Sequence, residues 1–491
     1  MRAPSQLTEF IVRNERLLRA LLLVAVAASV LALGSHLIVF SDDKKTLAIG
    51  ALIVLLPFML YAAVVKPLIF PFTIFVLLVP FDDLLRVDPQ LGTLTKLVAL
   101  CAGAALVFWL VRSRRFATPS KAVFFWLALL VFMALSVMWA IDSKDAITKL
   151  DTYIQLFLLY VVISLMPIAE DEYRIFLSTV ALSGVAAAIY SVYLYHTGAF
   201  VQHADIQGVL SSRLLVQFGD NKLGPDDFSA TLLLPIAVVM TSALRQPWSL
   251  KKLAYIGIFI LMIGGLYVNG SRGALLAFAC MVGYMIWRSR FKLQLITLSL
   301  LALGSSFLMP TSPWARFASA ADTGGAGRLS IWLVGFNAFK RHWLAGAGVG
   351  NFPTAYDQSF IQVYQKYYAN WHRAPHDMLV EFSVELGIIG IILLLTAWYV
   401  QMRSLRMIGP SNQLFDMRIA LEAAMVSVFV AGLFVSVMPA KCTWLLFSLM
   451  AATRALAVSR APSLLAQPLT HPHARELQYI RQPIVKEPVN A

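Results

Sequence analysis

Apolar runs of about 20 residues recur along this chain from residue 20 to residue 458. A run of that length spans the ~30 Å hydrocarbon core of a bilayer as an α-helix. Lipid offers no hydrogen-bond partners, so each run must satisfy its own backbone polar groups, as a helix does. Charged residues make up only 13% of the sequence, against about a quarter in soluble proteins. The sequence therefore predicts an all-α polytopic membrane protein with about 12 to 14 transmembrane helices.

The predicted spans are the apolar segments themselves. They are 20–40, 46–65, 67–81, 91–111, 122–141, 152–168, 174–195, 228–244, 253–269, 272–287, 294–309, 378–400, 419–437 and 440–458. The third is short and contains Pro67, Pro71 and Pro80, which favours a broken or re-entrant helix. The arginine-rich residues 1–19 lead into the first span without a convincing cleavage site, so we interpret that span as uncleaved.

Basic residues cluster in the loops on one side of the predicted array. These loops are 112–121, 245–252, 288–292 and 403–418. The loops between them are mixed or acidic, so the positive-inside rule predicts both termini in the cytoplasm. The net charge of +14 is spread over short loops instead of one face, which argues against nucleic-acid binding.

The spans divide the chain into seven predicted regions. They are a cytoplasmic N-terminus (1–19), an N-terminal transmembrane bundle (20–195), a first long outer loop (196–227), central transmembrane helices (228–309), a large outer loop with an amphipathic helix (310–377), C-terminal transmembrane helices (378–458) and a cytoplasmic tail (459–491). The polar composition of the tail predicts disorder. Loops as long as the two outer ones are uncommon without a function.

Arg272 follows a tight turn between two spans, within the segment Asn-Gly-Ser-Arg-Gly-Ala. The turn places it at the outer N-terminus of a membrane helix. Unpaired N–H groups and the positive end of the helix dipole favour an anion there, and a guanidinium adds charge-assisted hydrogen bonds. The alternative is an arginine whose side chain extends to the lipid headgroups.

Arg328 follows the glycine-rich segment Gly-Gly-Ala-Gly in the large outer loop. Apolar residues after it recur at helical spacing, so Arg328 begins an amphipathic helix that is expected to lie along the membrane surface. A glycine-rich turn at a helix start also suits a phosphate, although the Gly-Lys-Ser/Thr ending of a nucleotide P-loop is missing. Residues 344–352, with alternating glycines, are either a tight structural loop or a ligand contact.

An aromatic and basic patch precedes the span at 378–400. It includes Tyr368 and Trp371, which suit either the interfacial aromatic belt or stacking on sugar rings. His376 stands at the top of the span, and histidine is the side chain best suited to accept a proton near neutral pH. Carboxylates below it, such as Glu381, are costly in a membrane helix and normally have a role there.

The first outer loop contributes Arg213 and the pair Asp226 and Asp227. Arg213 is a further possible anion contact. The two aspartates either cap the following helix or take part in binding.

Taken together, these motifs resemble the superfamily of O-antigen ligases and Wzy-type O-antigen polymerases. That family shows an arginine followed by three residues and a leucine, which here is Arg272 to Leu276. It also shows a histidine followed by ten residues and a glycine, which here is His376 to Gly387. Between them the family has a Gly-Arg, an amphipathic helix and a Gly-x-Gly-x-Gly-x-Phe loop, which match residues 328–352. The resemblance extends over residues 220–400 and is only architectural elsewhere.

The resemblance implies a multi-helix glycosyltransferase of the GT-C type in the bacterial inner membrane, with its site on the periplasmic face. The donor would be a glycan on a polyprenyl diphosphate such as undecaprenyl diphosphate. The acceptor would be a hydroxyl of another glycan or of lipid A–core. The family transfers the glycan as one block, without nucleotide sugar, cofactor or metal.

Under this interpretation Arg272 and Arg328 bind the diphosphate, with Arg213 as a further contact. His376 acts as general base on the acceptor hydroxyl, and direct attack inverts the anomeric carbon. Supporting residues would be Asp377, Glu381, Tyr368 and Trp371.

Two alternatives remain. A polymerase would share the donor chemistry and differ only in the acceptor. A transporter or flippase would use charges inside the membrane, for which Lys96, Glu385 and Glu422 are candidates, although the chain shows no internal repeat of the kind that many transporters have.

Overall fold

The computed structural model describes residues 61–88, 92–204, 210–306, 328–363 and 371–465. The predicted N-terminus, the first span, most of the second span and most of the tail lie outside these ranges. Elements below are numbered in chain order within the described residues.

The first half of the described chain contains seven helices and three small hairpins. The helices are α1 (Phe72–Leu78), α2 (Leu94–Ser113), α3 (Ala122–Ser136), α4 (Ser143–Leu165), α5 (Glu170–His196), α6 (Pro225–Arg245) and α7 (Leu250–Asn269). The antiparallel hairpins pair β1 (Arg86–Asp88) with β2 (Gly92–Thr93), β3 (Phe200–Ala204) with β4 (Leu210–Leu214), and β5 (Val216–Phe218) with β6 (Asn221–Leu223).

The second half contains helices and connecting loops, with no strand in its described ranges. It contains α8 (Arg272–Arg288), α9 (Lys292–Ser306), α10 (Arg328–Arg341), α11 (Phe352–Val363), α12 (Met378–Arg403), α13 (Phe415–Gly432) and α14 (Lys441–Leu465). The last helix continues past residue 459, where the tail was predicted to begin.

Eight helices in the described part are long and apolar enough to cross a membrane, namely α2 to α7, α12 and α14. The prediction of an all-α polytopic membrane protein is therefore confirmed. Helices α8, α9 and α13 occupy three more of the predicted spans. The proline-containing segment at 67–81 holds only α1 and a following 3₁₀ turn, Val79–Phe81, as its prolines led us to expect.

Two differences from the predicted spans have local causes. Helix α4 begins well before the predicted residue 152, because the Asp142 side chain accepts hydrogen bonds from the backbone N–H groups of Lys144 and Asp145 at 2.8 and 3.2 Å. An N-cap of this kind starts a helix in polar sequence, ahead of the apolar run. Residues 196–227, predicted as the first outer loop, form two hairpins in their described part. The sequence did not predict them, because the strands are short and lack a clear alternation of apolar and polar residues.

Helix α6 lies at the centre of the bundle and is buried along most of its length. An aromatic cluster between α3, α4, α12 and α14 forms another part of the core, and Trp126 stacks on Phe447 with ring centroids 4.9 Å apart. Gln401 lies inside this cluster, where its Oε1 accepts hydrogen bonds from Trp126 Nε1 at 3.3 Å and Tyr160 Oη at 2.8 Å. The cluster therefore satisfies its buried polar group internally, as a core in lipid requires.

Candidate functional site

The start of α8 carries Arg272 as its first residue. Gly270 ends α7 in the left-handed conformation (φ 68°), which glycine adopts at little cost. The Ser271 side chain then caps α8 by accepting from the N–H of Ala274 at 3.2 Å. The predicted turn is thus built by a glycine C-cap followed directly by a serine N-cap.

Gly273 fixes how closely this helix start approaches α13. A Cβ at Gly273 would lie 2.6 Å from the ring of Phe434, just beyond the end of α13. Only glycine permits that approach, so the backbone next to Arg272 packs directly on the Phe434 ring.

The start of α10 carries Arg328, whose side chain is only 20% exposed. Its Nη2 atom lies 3.1 Å from Asp226 Oδ2 in the first turn of α6. Its guanidinium also lies over the Phe434 ring, 5.8 Å from the centroid. An ion pair and a cation–π contact therefore hold this arginine against the ring that Gly273 contacts.

The start of α12 follows His376, which is exposed and has a positive φ of 49°. That conformation is uncommon outside glycine, and histidine adopts it more often than most other residues; Arg114 and His372 also have a positive φ. Asp377 caps the helix, and its Oδ1 accepts from the N–H groups of Leu379 and Val380 at 2.7 and 2.9 Å. Trp332, in the first turns of α10, donates its indole N–H to the Pro375 carbonyl at 3.2 Å. The two helix starts are thus joined directly.

Burial raises the pKa of the Asp377 carboxyl, while hydrogen bonds from the Val380 and Leu379 amides and the charge of Arg328 act in the opposite direction. The positive charge of Arg328 lowers the pKa of Asp377 because this arginine lies near the start of α12.

All three helix starts meet the end of α13 and the segment that follows it. Gly273 and Arg328 contact Phe434. Met378, at the start of α12, packs against Gly432: a Cβ at Gly432 would lie 3.3 Å from the methyl carbon of Met378. We call this end of the bundle the motif end. Arg272, Arg328 and His376 belong to three separate chain segments, and the fold brings their helix starts to one place.

A buried charge cluster lies below the start of α12. Lys149 of α4 forms ion pairs with Glu381 and with Glu385, the latter at 2.9 Å. Glu385 Oε1 also accepts a hydrogen bond from the backbone N–H of Phe352, with a distance of 3.4 Å between nitrogen and oxygen. Sequence reasoning singled out the two glutamates but took Lys149 for a loop residue. The helix-initiating Asp142 was the signal that places Lys149 inside α4.

Gly387, the glycine of the histidine motif, breaks α12. Its φ and ψ are 64° and −162°, and a Cβ there would lie 2.4 Å from the Leu344 carbonyl oxygen. The loop after α10 enters this break: Ala347 and Gly348 donate backbone hydrogen bonds to the carbonyls of Val384 and Glu385, each at 2.9 Å. The alternating glycines of residues 344–352 thus form a tight structural loop, one of the two options that the sequence left open.

The other predicted residues lie elsewhere or outside the described ranges. Arg213 is in strand β4, where it pairs in register with Val201. Trp371 is exposed and packs edge-on against Phe360 with ring centroids 5.0 Å apart, and Tyr368 lies outside the described residues. Within the described ranges, no three His, Cys, Asp or Glu side chains cluster in a way that suits a metal ion.

Comparison with known families supports the motif-based resemblance. Residues 257–395 match the family model described as O-antigen ligase. The match includes Arg272, Arg328, His376 and Gly387, so the resemblance is confirmed over this part of the chain. No curated protein gives a significant match. At the coarse level, the chain is a membrane protein whose residues 257–395 are similar to the O-antigen ligase family. That likeness indicates a ligase- or polymerase-like enzyme with lipid-linked glycan substrates.

Proposed function

We propose that this protein is an inverting membrane glycosyltransferase of the GT-C type. It transfers a polyprenyl-diphosphate-linked glycan to an acceptor hydroxyl on the periplasmic face of the inner membrane. The observation that carries the proposal is the meeting of three helix starts, with Arg272, Arg328 and His376, around Phe434 and Gly432.

The arginines suit a diphosphate leaving group. Negative charge develops on the diphosphate as the glycosidic bond breaks, and fixed guanidinium groups in a partly dry site stabilise that charge. Asp226 and Phe434 hold Arg328 in place. A guanidinium has five N–H donors, and a single carboxylate cannot accept from all of them. The ion pair with Asp226 therefore positions the Arg328 guanidinium and leaves some of its N–H donors for a phosphate. Arg213, on its hairpin, is a weaker candidate for the same role.

The histidine suits the acceptor hydroxyl. His376 is exposed at the motif end and precedes a helix cap whose carboxylate is engaged by backbone amides. In the proposed step, the imidazole takes the hydroxyl proton while the hydroxyl oxygen attacks the anomeric carbon and the diphosphate leaves with the bonding electrons. Asp377 and Glu381 are supporting residues that fix the helix start below the imidazole, and Tyr368 and Trp371 would contact the glycan.

The transporter alternative rested on three charged residues within the predicted spans, and the ion pairs of these residues weaken it. Each of the three intramembrane charges has an ion-pair partner: Lys96 lies 3.5 Å from Asp151, and Glu422 lies 2.8 Å from Arg418. Glu385 belongs to the Lys149 cluster. Structural pairing accounts for these groups without a transport role. A polymerase remains the second candidate, because it differs from a ligase only in the acceptor.

The test is glycan transfer by the purified protein, reconstituted without an ion gradient. Arg272→Lys and Arg328→Lys keep the charge but lose bidentate geometry, and we expect rates to fall about 10²-fold or more. His376→Asn should lose about 10²–10⁴-fold, and asparagine tolerates the left-handed backbone at this position. The matched control is Arg341→Lys, at the far end of α10, whose side chain donates to the Gln358 carbonyl.

Near-normal transfer by the Arg272→Lys and His376→Asn variants, at the level of the Arg341→Lys control, would refute the proposed roles. The product separates the two candidate enzymes. Elongated glycan that stays on the diphosphate lipid identifies a polymerase, and glycan moved to a different acceptor identifies a ligase.

A further inference from the structure

Asn269, the last residue of α7, has a buried side chain whose polar atoms are unsatisfied. The residue is 1% exposed, and neither Oδ1 nor Nδ2 has a hydrogen-bond partner within the described part of the chain. Burial removes the hydrogen bonds that water would provide, and folded proteins leave few polar groups in this state. The amide therefore destabilises the free protein, which points to a role other than stability.

The turn between α7 and α8 forms without the Asn269 side chain. Gly270 donates its N–H to the Tyr267 carbonyl at 2.9 Å, and the Ser271 side chain caps α8. One turn earlier on α7, Leu266 is fully buried, so an apolar side chain would suit the packing on this side of the helix. Neither the turn nor the packing accounts for an amide at this position.

Helical spacing places Asn269 on the face of α7 that packs inside the bundle. Gly265 precedes it by one turn on the same face, and a Cβ at Gly265 would lie 2.9 Å from the Ala188 Cα of α5. Helix α7 also packs against α6 and strand β4. The amide thus lies inside the bundle at the motif end, three residues before Arg272. Three residues of chain reach at most about 11 Å, so a group bound by the amide lies close to the proposed diphosphate contact.

The hydrogen-bonding groups of an amide limit what it can bind. The Asn269 side chain has two N–H donors and one carbonyl acceptor. An ionised phosphate offers acceptors only, so it would leave Oδ1 unpaired. A hydroxyl or an acylamino group both donates and accepts, and both are uncharged substituents of sugar rings. The unsatisfied amide therefore matches a sugar substituent better than it matches the diphosphate.

We propose that Asn269 is a specificity-determining residue that contacts the first sugar of the donor, the sugar bonded to the diphosphate. This inference rests on the proposed function and names the part of the donor that the site recognises. The first sugar is singled out because Asn269 lies so close to Arg272 in the chain. The amide is enclosed in the free protein, so the donor displaces a neighbouring side chain to reach it. Asn269 loses no hydrogen bond in that exchange, and the sugar supplies the missing partner.

Asn269→Leu tests this role, because leucine is similar in size and has no polar side-chain atom. The matched control is Thr241→Val, whose hydroxyl is also buried without a partner in the described residues. Thr241 lies about 22 Å along α6 from Asp226, well away from the motif end. Each substitution removes an unsatisfied polar group, so both variants should melt at or above the temperature of the wild type.

Transfer is measured with the purified proteins in lipid vesicles, using polyprenyl-diphosphate donors whose first sugar lacks one hydroxyl or acylamino group at a time. For the wild type, one such donor should have a kcat/KM about tenfold below that of the unaltered donor, as expected for the loss of hydrogen bonds between uncharged groups. Asn269→Leu should lower kcat/KM for the unaltered donor by a similar factor and should no longer discriminate against that one donor. Thr241→Val should match the wild type with every donor. The discriminated donor shows whether a hydroxyl or an acylamino group is the partner.

Unchanged transfer by Asn269→Leu overturns the inference and leaves a buried water as the partner of the amide. A melting temperature well below that of the wild type overturns it as well, because the amide would then have a structural partner. Continued discrimination by Asn269→Leu against the same donor means that the two losses are independent, which is equally contrary to a direct contact. If the wild type transfers glycan and any of these results is found, only the role of Asn269 fails. If the wild type transfers none, the proposed function fails, and this role fails with it.

Discussion

Lys149 is expected to stabilise the native protein strongly, because it is the cation shared by two buried carboxylates. The side chains of Glu381 and Glu385 are only 4% and 3% exposed. Lys149→Met removes the charge and keeps an unbranched side chain. Removing one partner of a buried ion pair costs about 3–5 kcal/mol. Since the Lys149 side chain is itself 21% exposed, water compensates part of the loss. We therefore expect the free energy of unfolding to fall by about 3 kcal/mol.

The assay is reversible unfolding in mixed micelles, followed by tryptophan fluorescence. Lys144→Met is the matched control, because Lys144 is exposed on the same helix, and it should change stability by no more than about 0.5 kcal/mol. Adding Glu381→Gln and Glu385→Gln to Lys149→Met should recover most of the lost stability, since no uncompensated charge then remains buried. The reasoning is refuted if Lys149→Met is as stable as the control, or if the triple variant is no more stable than Lys149→Met alone.

Two further predictions concern α12. Gly387→Ala should destabilise the protein by about 2–3 kcal/mol, because the left-handed backbone is strained for alanine and its Cβ would press on the Leu344 carbonyl. Gly409→Ala, where a Cβ meets no atom within 4 Å, should be nearly neutral in the same assay, and equal losses would contradict this reasoning. Burial raises the pKa of Asp377 above its ordinary value of 3.8, so protonation favours the native state. That stabilisation is fully present below about pH 3.8 and is lost as the pH rises through the folded-state pKa. Asp377→Asn, which keeps a capping oxygen, should flatten the pH dependence of the unfolding free energy in the acid range, and an unchanged slope would contradict the assignment.

The membrane helices could be predicted from the sequence because lipid imposes a simple rule. A long apolar run must satisfy its backbone polar groups within itself, so α2, α3, α5 and α7 follow from composition and length alone. Helix α4 shows where that rule ends. Its first turns are polar, and only the Asp142 cap marks their start, so Lys149 could not be placed next to the glutamates of α12 by counting apolar residues.

The candidate site could be predicted only as separate pieces. Each arginine was placed at a helix start because a glycine or serine turn precedes it, and such turns are local features of the sequence. The contacts that join the pieces are not local. Phe434, which contacts both Gly273 and Arg328, belongs to no motif.

The break at Gly387 gives the glycine of the histidine motif a structural role. Helix α12 begins at Met378, so the break at Gly387 lies about two and a half helical turns below its first residue. The loop that enters the break follows directly after α10, and its hydrogen bonds to the carbonyls of Val384 and Glu385 replace those that a regular helix would make. Through that loop, the far end of α10 is tied to α12, while Trp332 ties its first turns to Pro375. Two attachments along one helix leave Arg328 little freedom to move relative to His376. The glycine therefore serves the candidate site at a distance, by fixing the helix that carries Arg328, the proposed phosphate contact, against the helix that follows His376, the proposed base.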